Sequence, residues 1–328
     1  MKLRTGRRAA AALALLLATF TALSGCGEQK STFVEGKVNV VTTFYPLYYL
    51  ATEIGGDDAN VVNLIPTGVE PHDWTPKSKD LQTASKAQLF IYNGAGLEGW
   101  AEDFLHGTGS NGGLKIVEAS EGIALLSGNP EEEEDGDGDG EEHKHEEGDG
   151  HHHDADVDPH TWVSPKSALI MADNILQAFI QADPANEAAY EARYDDLQAR
   201  LAELDRQFTQ QLGAVPNKDI VVTHQAFGYM ARDYGLNQVA IMGLSPEAEP
   251  RSQDLLDVAA FVKKNNVRTI FFEELVSNQL AKTISGETGA GIDVLSPIEG
   301  LTSKQEKDGE TYITLMERNL QNLVKALQ

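Results

Sequence analysis

From Val38 onward the chain alternates short β-branched runs with amphipathic helical stretches, in two separate passes. Runs at 38–44, 60–65, 89–93 and 114–117 read as strands, with helices at 46–54, 77–86 and 97–105 between them. Pro46 stands near the start of the first helix, where its missing N–H costs nothing. The second pass has strands at 220–223, 238–242, 269–272 and 292–295, helices at 226–234, 253–265 and 278–287, and a closing helix at 311–327. Such alternation is the pattern of a parallel sheet with helices on its faces. Between the passes, 165–182 reads as a helix with Ser164 as its N-cap and Asp183-Pro184 as its stop. A longer pattern at 184–212 follows, with Leu197, Leu201, Leu204 and Phe208 on one face. At 1.5 Å per residue it would run about 40 Å, enough to link two lobes. The expected fold is α/β: two lobes, each with a four-stranded parallel sheet flanked by helices, joined by a long linker helix over a cleft.

The ends add processing and tethering. Lys2, Arg4, Arg7 and Arg8 precede an apolar run at 9–22, and Leu23-Ser24-Gly25-Cys26 follows. That run is shorter than the roughly 20 residues needed to cross a bilayer. Leu-Ser-Gly-Cys resembles a bacterial lipoprotein box, so 1–25 is expected to be a signal peptide and Cys26 the lipidated residue. Cys26 is the only cysteine, which rules out an intrachain disulfide. Residues 26–36 have the composition of a tether. The remaining divisions are an N-terminal lobe at 37–182, a linker helix at 183–213 and a C-terminal lobe at 214–328.

Charge narrows the partners. The formal net charge is −25, or −29 without the four basic residues of the leader. A loop at 129–158 interrupts the first lobe, and from Glu131 to Asp158 it holds fifteen acids against one lysine. Its glycines and acids cannot bury a core. The rest of the chain is acidic too, which argues against nucleic acid as a partner and suits an extracytoplasmic protein that handles cations.

Isolated histidines carry the chemistry. Glu70-Pro71-His72-Asp73-Trp74 and Asp158-Pro159-His160-Thr161-Trp162 each place a histidine after a proline and two residues before a tryptophan. His224 stands just past the run Ile220-Val221-Val222. Ligands of open parallel sheets bind beyond the carboxyl ends of the strands, where His72 and His224 fall, and His160 can face the same gap. Neutral imidazole is a common ligand of zinc-like ions. A divalent ion in a closed four-coordinate site calls for an anion as well. Glu299 follows the last strand, while Glu273, Glu274 and Glu70 compete with it. Trp74 and Trp162 read as packing that shields the site. His143, His145, His151, His152 and His153 lie among carboxylates in the acidic loop, a mixture suited to weak metal binding.

These segments, together with Pro66-Thr67-Gly68-Val69, Thr223-His224-Gln225-Ala226-Phe227 and Ser296-Pro297-Ile298-Glu299-Gly300, resemble the zinc-uptake solute-binding lipoproteins of bacterial ABC importers. The wider group, metal-binding cluster A-I, also includes manganese and iron binders. The resemblance covers about residues 37–328. It implies metal in the inter-lobe cleft, with His72, His160 and His224 matching the three histidine ligands and Glu299 matching the carboxylate position. Some members leave that position to water or use a carboxylate from the first loop. The implied function is capture of Zn2+ outside the membrane and delivery to an ABC permease driven by a cytoplasmic ATPase. The protein is expected to be a monomer held to the cell membrane by its lipid, or periplasmic, and not an enzyme. Three imidazoles and one carboxylate favour zinc over Mn2+, which prefers more oxygen ligands. Two other functions remain open: a manganese- or iron-binding protein or adhesin of the same fold, and a secreted zinc hydrolase. No His-Glu-x-x-His helix or nucleophile elbow supports the hydrolase.

Overall fold

The computed structural model describes residues 33–108, 113–128, 157–246 and 250–328. Cys26 and the five histidines of the acidic loop lie outside the described residues.

Two four-stranded sheets form, both wholly parallel. The first contains β1 (Val38–Thr42), β2 (Ala59–Asn63), β3 (Leu89–Tyr92) and β4 (Lys115–Glu118), in the order β2-β1-β3-β4. The second contains β5 (Asp219–Val222), β6 (Asn237–Ala240), β7 (Thr269–Phe272) and β8 (Gly291–Val294), in the order β6-β5-β7-β8. The central strands are mostly apolar, as expected where helices cover both faces, with Asn39 and Thr42 the buried polar residues of β1. Val38, Val40, Leu89 and Ile91 point to one side of the first sheet, and Val41 and Phe90 to the other. The second sheet behaves alike: Ile220, Val222 and Phe271 face one core while Val221 and Ile270 face another. The inner faces of both sheets share a single core. One continuous apolar body therefore joins the lobes.

That body is built on α4 (Pro165–Ala182), α5 (Glu187–Ala214) and α10 (Tyr312–Leu327). The 28 residues of α5 give a helix about 42 Å long. Tyr190, Tyr194, Leu197, Leu201, Leu204, Phe208 and Leu212 form its buried stripe, at the three- and four-residue spacing that keeps one helical face inward. The helices α1 (Tyr45–Gly55), α2 (Ser78–Ala84) and α3 (Ala101–Gly107) belong to the first lobe. In the second lobe are α6 (Gly228–Tyr234), α7 (Ser252–Lys264), α8 (Gln279–Thr288) and α9 (Ser303–Asp308).

Three details depart from expectation. The helix expected at 97–105 begins only at Ala101, because Gly94, Ala95 and Gly96 all have positive φ and hold the chain in a turn. Ser164 occupies the N-cap position of α4, but its side chain makes no cap bond; the hydroxyl donates instead to Asp233 Oδ2 at 2.5 Å. The short α9 was not expected. Its sequence signal is a capping box in which Thr302 and Gln305 satisfy each other's backbone N–H groups.

Candidate metal centre

Each site residue lies in a loop that follows a strand or leads into a helix. His72 lies in the loop after β2, His224 two residues beyond β5, and Glu299 five residues beyond β8. His160 immediately precedes a 3-10 turn, Thr161–Val163, that leads into α4. Glu299 is reached through Ile298, whose φ of 58° is strained for a β-branched residue. Ile298 is fully buried, so packing holds it in that conformation.

These loops bring four side chains to one point. His72 Nε2 lies 3.1 Å from His160 Nε2, which lies 3.3 Å from His224 Nε2. Glu299 Oε1 is 3.4 Å from His72 Nε2, 3.4 Å from His160 Nε2 and 3.6 Å from His224 Nε2. A tetrahedral site with metal–ligand distances of about 2.0–2.1 Å has ligand–ligand edges of about 3.3 Å. All five distances sit near that edge. His160, His224 and Glu299 are buried, and only His72 is partly open to solvent. Neither Glu299 oxygen has a hydrogen-bond partner. A buried carboxylate that receives no hydrogen bond is costly to keep ionised, and a cation among the four atoms would satisfy it.

Carboxylates behind the rings set the tautomers. Asp158 Oδ1 accepts from His160 Nδ1 at 2.8 Å and from the His160 backbone N–H at 3.0 Å. Glu273 Oε1 faces His224 Nδ1 at 2.5 Å and accepts the Thr223 hydroxyl at 2.7 Å. With Nδ1 donating, each Nε2 lone pair is turned toward the centre, the arrangement that orients metal-bound histidines. Burial opposes charge on both rings. At His160, Asp158 and Glu299 outweigh it and raise the pKa above the ordinary value. At His224, Glu273 and then Glu299 raise it to about 10. Burial would also raise Glu299, but the three imidazoles hold it well below the usual carboxylate range.

The competing carboxylates have other positions. Glu273 does not face the centre; it orients His224 from behind. Glu274 accepts from Gln305 Nε2 at 2.9 Å. Glu70 accepts the His72 backbone N–H at 3.2 Å, and burial together with the nearby Glu299 charge pushes it up to about 9. Its surroundings therefore disfavour the ionised form, whereas the imidazoles around Glu299 favour it there. The two tryptophans of the paired segments also differ. Trp162 is fully buried, with its ring centroid 5.4 Å from that of His160, and Nε1 donates to Pro297 O at 2.7 Å. Trp74 packs edge-on against Trp100. The role of Asp158 has one signal in the sequence, its place two residues before a histidine.

Two parallel sheets bridged by a long helix, with a histidine–carboxylate group between them, define a two-lobed α/β protein with a cleft suited to a cation. The chain belongs to the family described as zinc-uptake complex component A, periplasmic (ZnuA), which it matches over residues 40–326. It is 38% identical to the high-affinity zinc uptake system protein ZnuA of Bacillus subtilis, covering 96% of this chain and 97% of that one. It is 40% identical to the zinc-binding lipoprotein AdcA of Streptococcus pneumoniae over 95% of this chain, but spans only 60% of that protein's length. Among solved structures, the Zn(II)-bound ZnuA-like domain of Streptococcus pneumoniae AdcA superposes with a TM-score of 0.73 at 36% identity, covering 89% of this chain and 99% of the other.

Proposed function

We propose that this protein is the extracytoplasmic zinc-binding component of an ABC importer, with His72, His160, His224 and Glu299 as the four ligands of Zn2+. The observation that carries this reading is the set of ligand-atom spacings at tetrahedral edge length around an unpartnered buried carboxylate. Zinc is cargo here. Three nitrogens and one oxygen at four-coordinate spacing favour it over manganese, and the relatives named for zinc support the same choice. A hydrolytic zinc keeps an open position for water, whereas Glu299 fills the fourth corner. The protein works as a monomer with lobes at 37–182 and 214–328 about the linker at 183–213, whose α-helix is Glu187–Ala214. A lipid on Cys26 holds it at the cell membrane, where it hands the ion to the permease. The histidines of the acidic loop, His143, His145, His151, His152 and His153, collect zinc weakly for the cleft.

Zinc titration calorimetry on metal-stripped protein from Gly27 onward tests this, beside a version lacking 129–156. One tight site that survives the deletion, with weak sites that vanish, is the expected result. Loss of all tight binding on deletion would move the site out of the cleft and refute the ligand set.

A further inference from the structure

A buried polar network at the end of β3 is not explained by contact with the ion. Gly94, Ala95 and Gly96 follow one another with φ of 79°, 50° and 82°. Glycine takes that region freely, whereas Ala95 is strained in it. The turn brings Glu98 back under the ends of β1 and β3. There Oε1 accepts the Thr43 hydroxyl at 2.6 Å and the Asn93 N–H at 2.9 Å, and Oε2 accepts the Gly94 N–H at 3.1 Å. Glu98 is buried, and desolvation pushes it up to about 7. A strained turn anchored by a buried carboxyl group is costly to retain, and what it presents is the side chain of Asn93.

Asn93 is fully buried. Its Nδ2 donates to Pro159 O at 2.9 Å and to Gly94 O at 2.9 Å, and its Oδ1 accepts the Thr161 hydroxyl at 2.9 Å. Pro159 and Thr161 are the two residues that flank His160. A single planar amide therefore grips both sides of one histidine, donating to the residue before it and accepting from the residue after it. The ring itself is fixed separately, through Nδ1 and Asp158. An ionised carboxylate of the same shape has no donor and would point one oxygen at both the Pro159 and Gly94 carbonyls.

We propose that Asn93 is the positioning residue for His160, clamping Pro159 and Thr161 so that Nε2 stands at its corner of the metal site, with Glu98 anchoring the turn that carries it. This rests on the reading of the cleft as a metal centre. The test compares wild type, Asn93→Asp and Thr161→Val in the full mature chain, using Zn2+ affinity and the visible absorption of bound Co2+. A four-coordinate cobalt site absorbs far more strongly than an expanded one. Asn93→Asp is expected to weaken zinc binding 10–100-fold, the usual effect of losing an outer partner of a ligand, and to dim the cobalt band. Thr161→Val removes one arm of the clamp and should give a smaller change in the same direction, which keeps the test available if Asn93→Asp folds poorly. Leu201→Ala, a core change remote from the clamp, serves as the stability control and should leave the band unchanged. Wild-type affinity and an undimmed band in both clamp variants, whatever their melting temperatures, would overturn the proposal. Absence of a tight site in wild type would instead remove the metal reading itself, and the proposal with it.

Discussion

Glu273→Gln isolates charge from geometry at the centre. The variant keeps an oxygen that can accept from His224 Nδ1 and the Thr223 hydroxyl, but loses the negative charge that, with Glu299, holds His224 at about 10. With the pKa raised, metal-free protein carries a proton on His224 at neutral pH, and an arriving ion must displace it. Apparent affinity therefore rises with pH. Between pH 7 and 9, His224 alone contributes a gain of about tenfold per unit, roughly 100-fold in all or about 2.7 kcal/mol. In Glu273→Gln the ring should titrate nearer its ordinary value, and most of that gain should disappear. The linkage also acts on the metal-free fold. A raised histidine pKa contributes stability that is fully present below pH 6.5 and is lost as pH rises through about 10. The assay is chelator competition for zinc at pH 7, 8 and 9. Calorimetry in buffers of different ionisation enthalpy then counts the protons released. The variant should release fewer protons at pH 7.5 and show a flatter pH profile. Equal proton release and equal slopes in the two proteins would refute the argument that Glu273 tunes His224.

Other consequences can be checked separately. Glu299→Gln should lower zinc affinity by more than about 100-fold, beyond what loss of an outer partner causes; Glu70→Gln should leave it within about threefold, because burial and the Glu299 charge already disfavour the ionised form of Glu70. Comparable losses in both, measured by competition at pH 7, would point to Glu70 as a ligand. Leu201→Ala opens a cavity under the fully buried face of α5 and should cost about 2–5 kcal/mol in urea unfolding. It should leave zinc affinity unchanged in the folded protein, since Leu201 belongs to the shared core and not to the loops of the site.

The shared core bears on how the cleft can work. The inner faces of both sheets, α4, α5 and α10 pack as one apolar body, and Tyr312 OH donates to Trp162 O at 2.5 Å across it. Wide separation of the lobes would expose that core. The loop bearing His72 packs on the same body through Val69 and Trp74. It meets the second lobe through the Gly68 N–H to Leu301 O bond at 2.8 Å, and His72 is the only one of the four site residues open to solvent.

Periodicity is local, so the sequence alone determined much of the fold. Two passes of β-branched runs at strand length, and the stripe Leu197-Leu201-Leu204-Phe208, specify parallel sheets and a long bridging helix without reference to any tertiary contact. Residue chemistry likewise singled out His72, His160 and His224, because isolated histidines beyond strand ends are few, and left Glu299 competing with Glu273, Glu274 and Glu70. The partners of those residues were decided by the tertiary structure. Whether Glu273 or Glu299 faces the centre depends on the order of β5, β7 and β8 and on the buried turn at Ile298, neither of which a linear pattern encodes. The same holds for Asn93 and Glu98. They lie more than sixty residues from His160 in the chain, and only the close packing of the turn after β3 against the turn before α4 brings them to it.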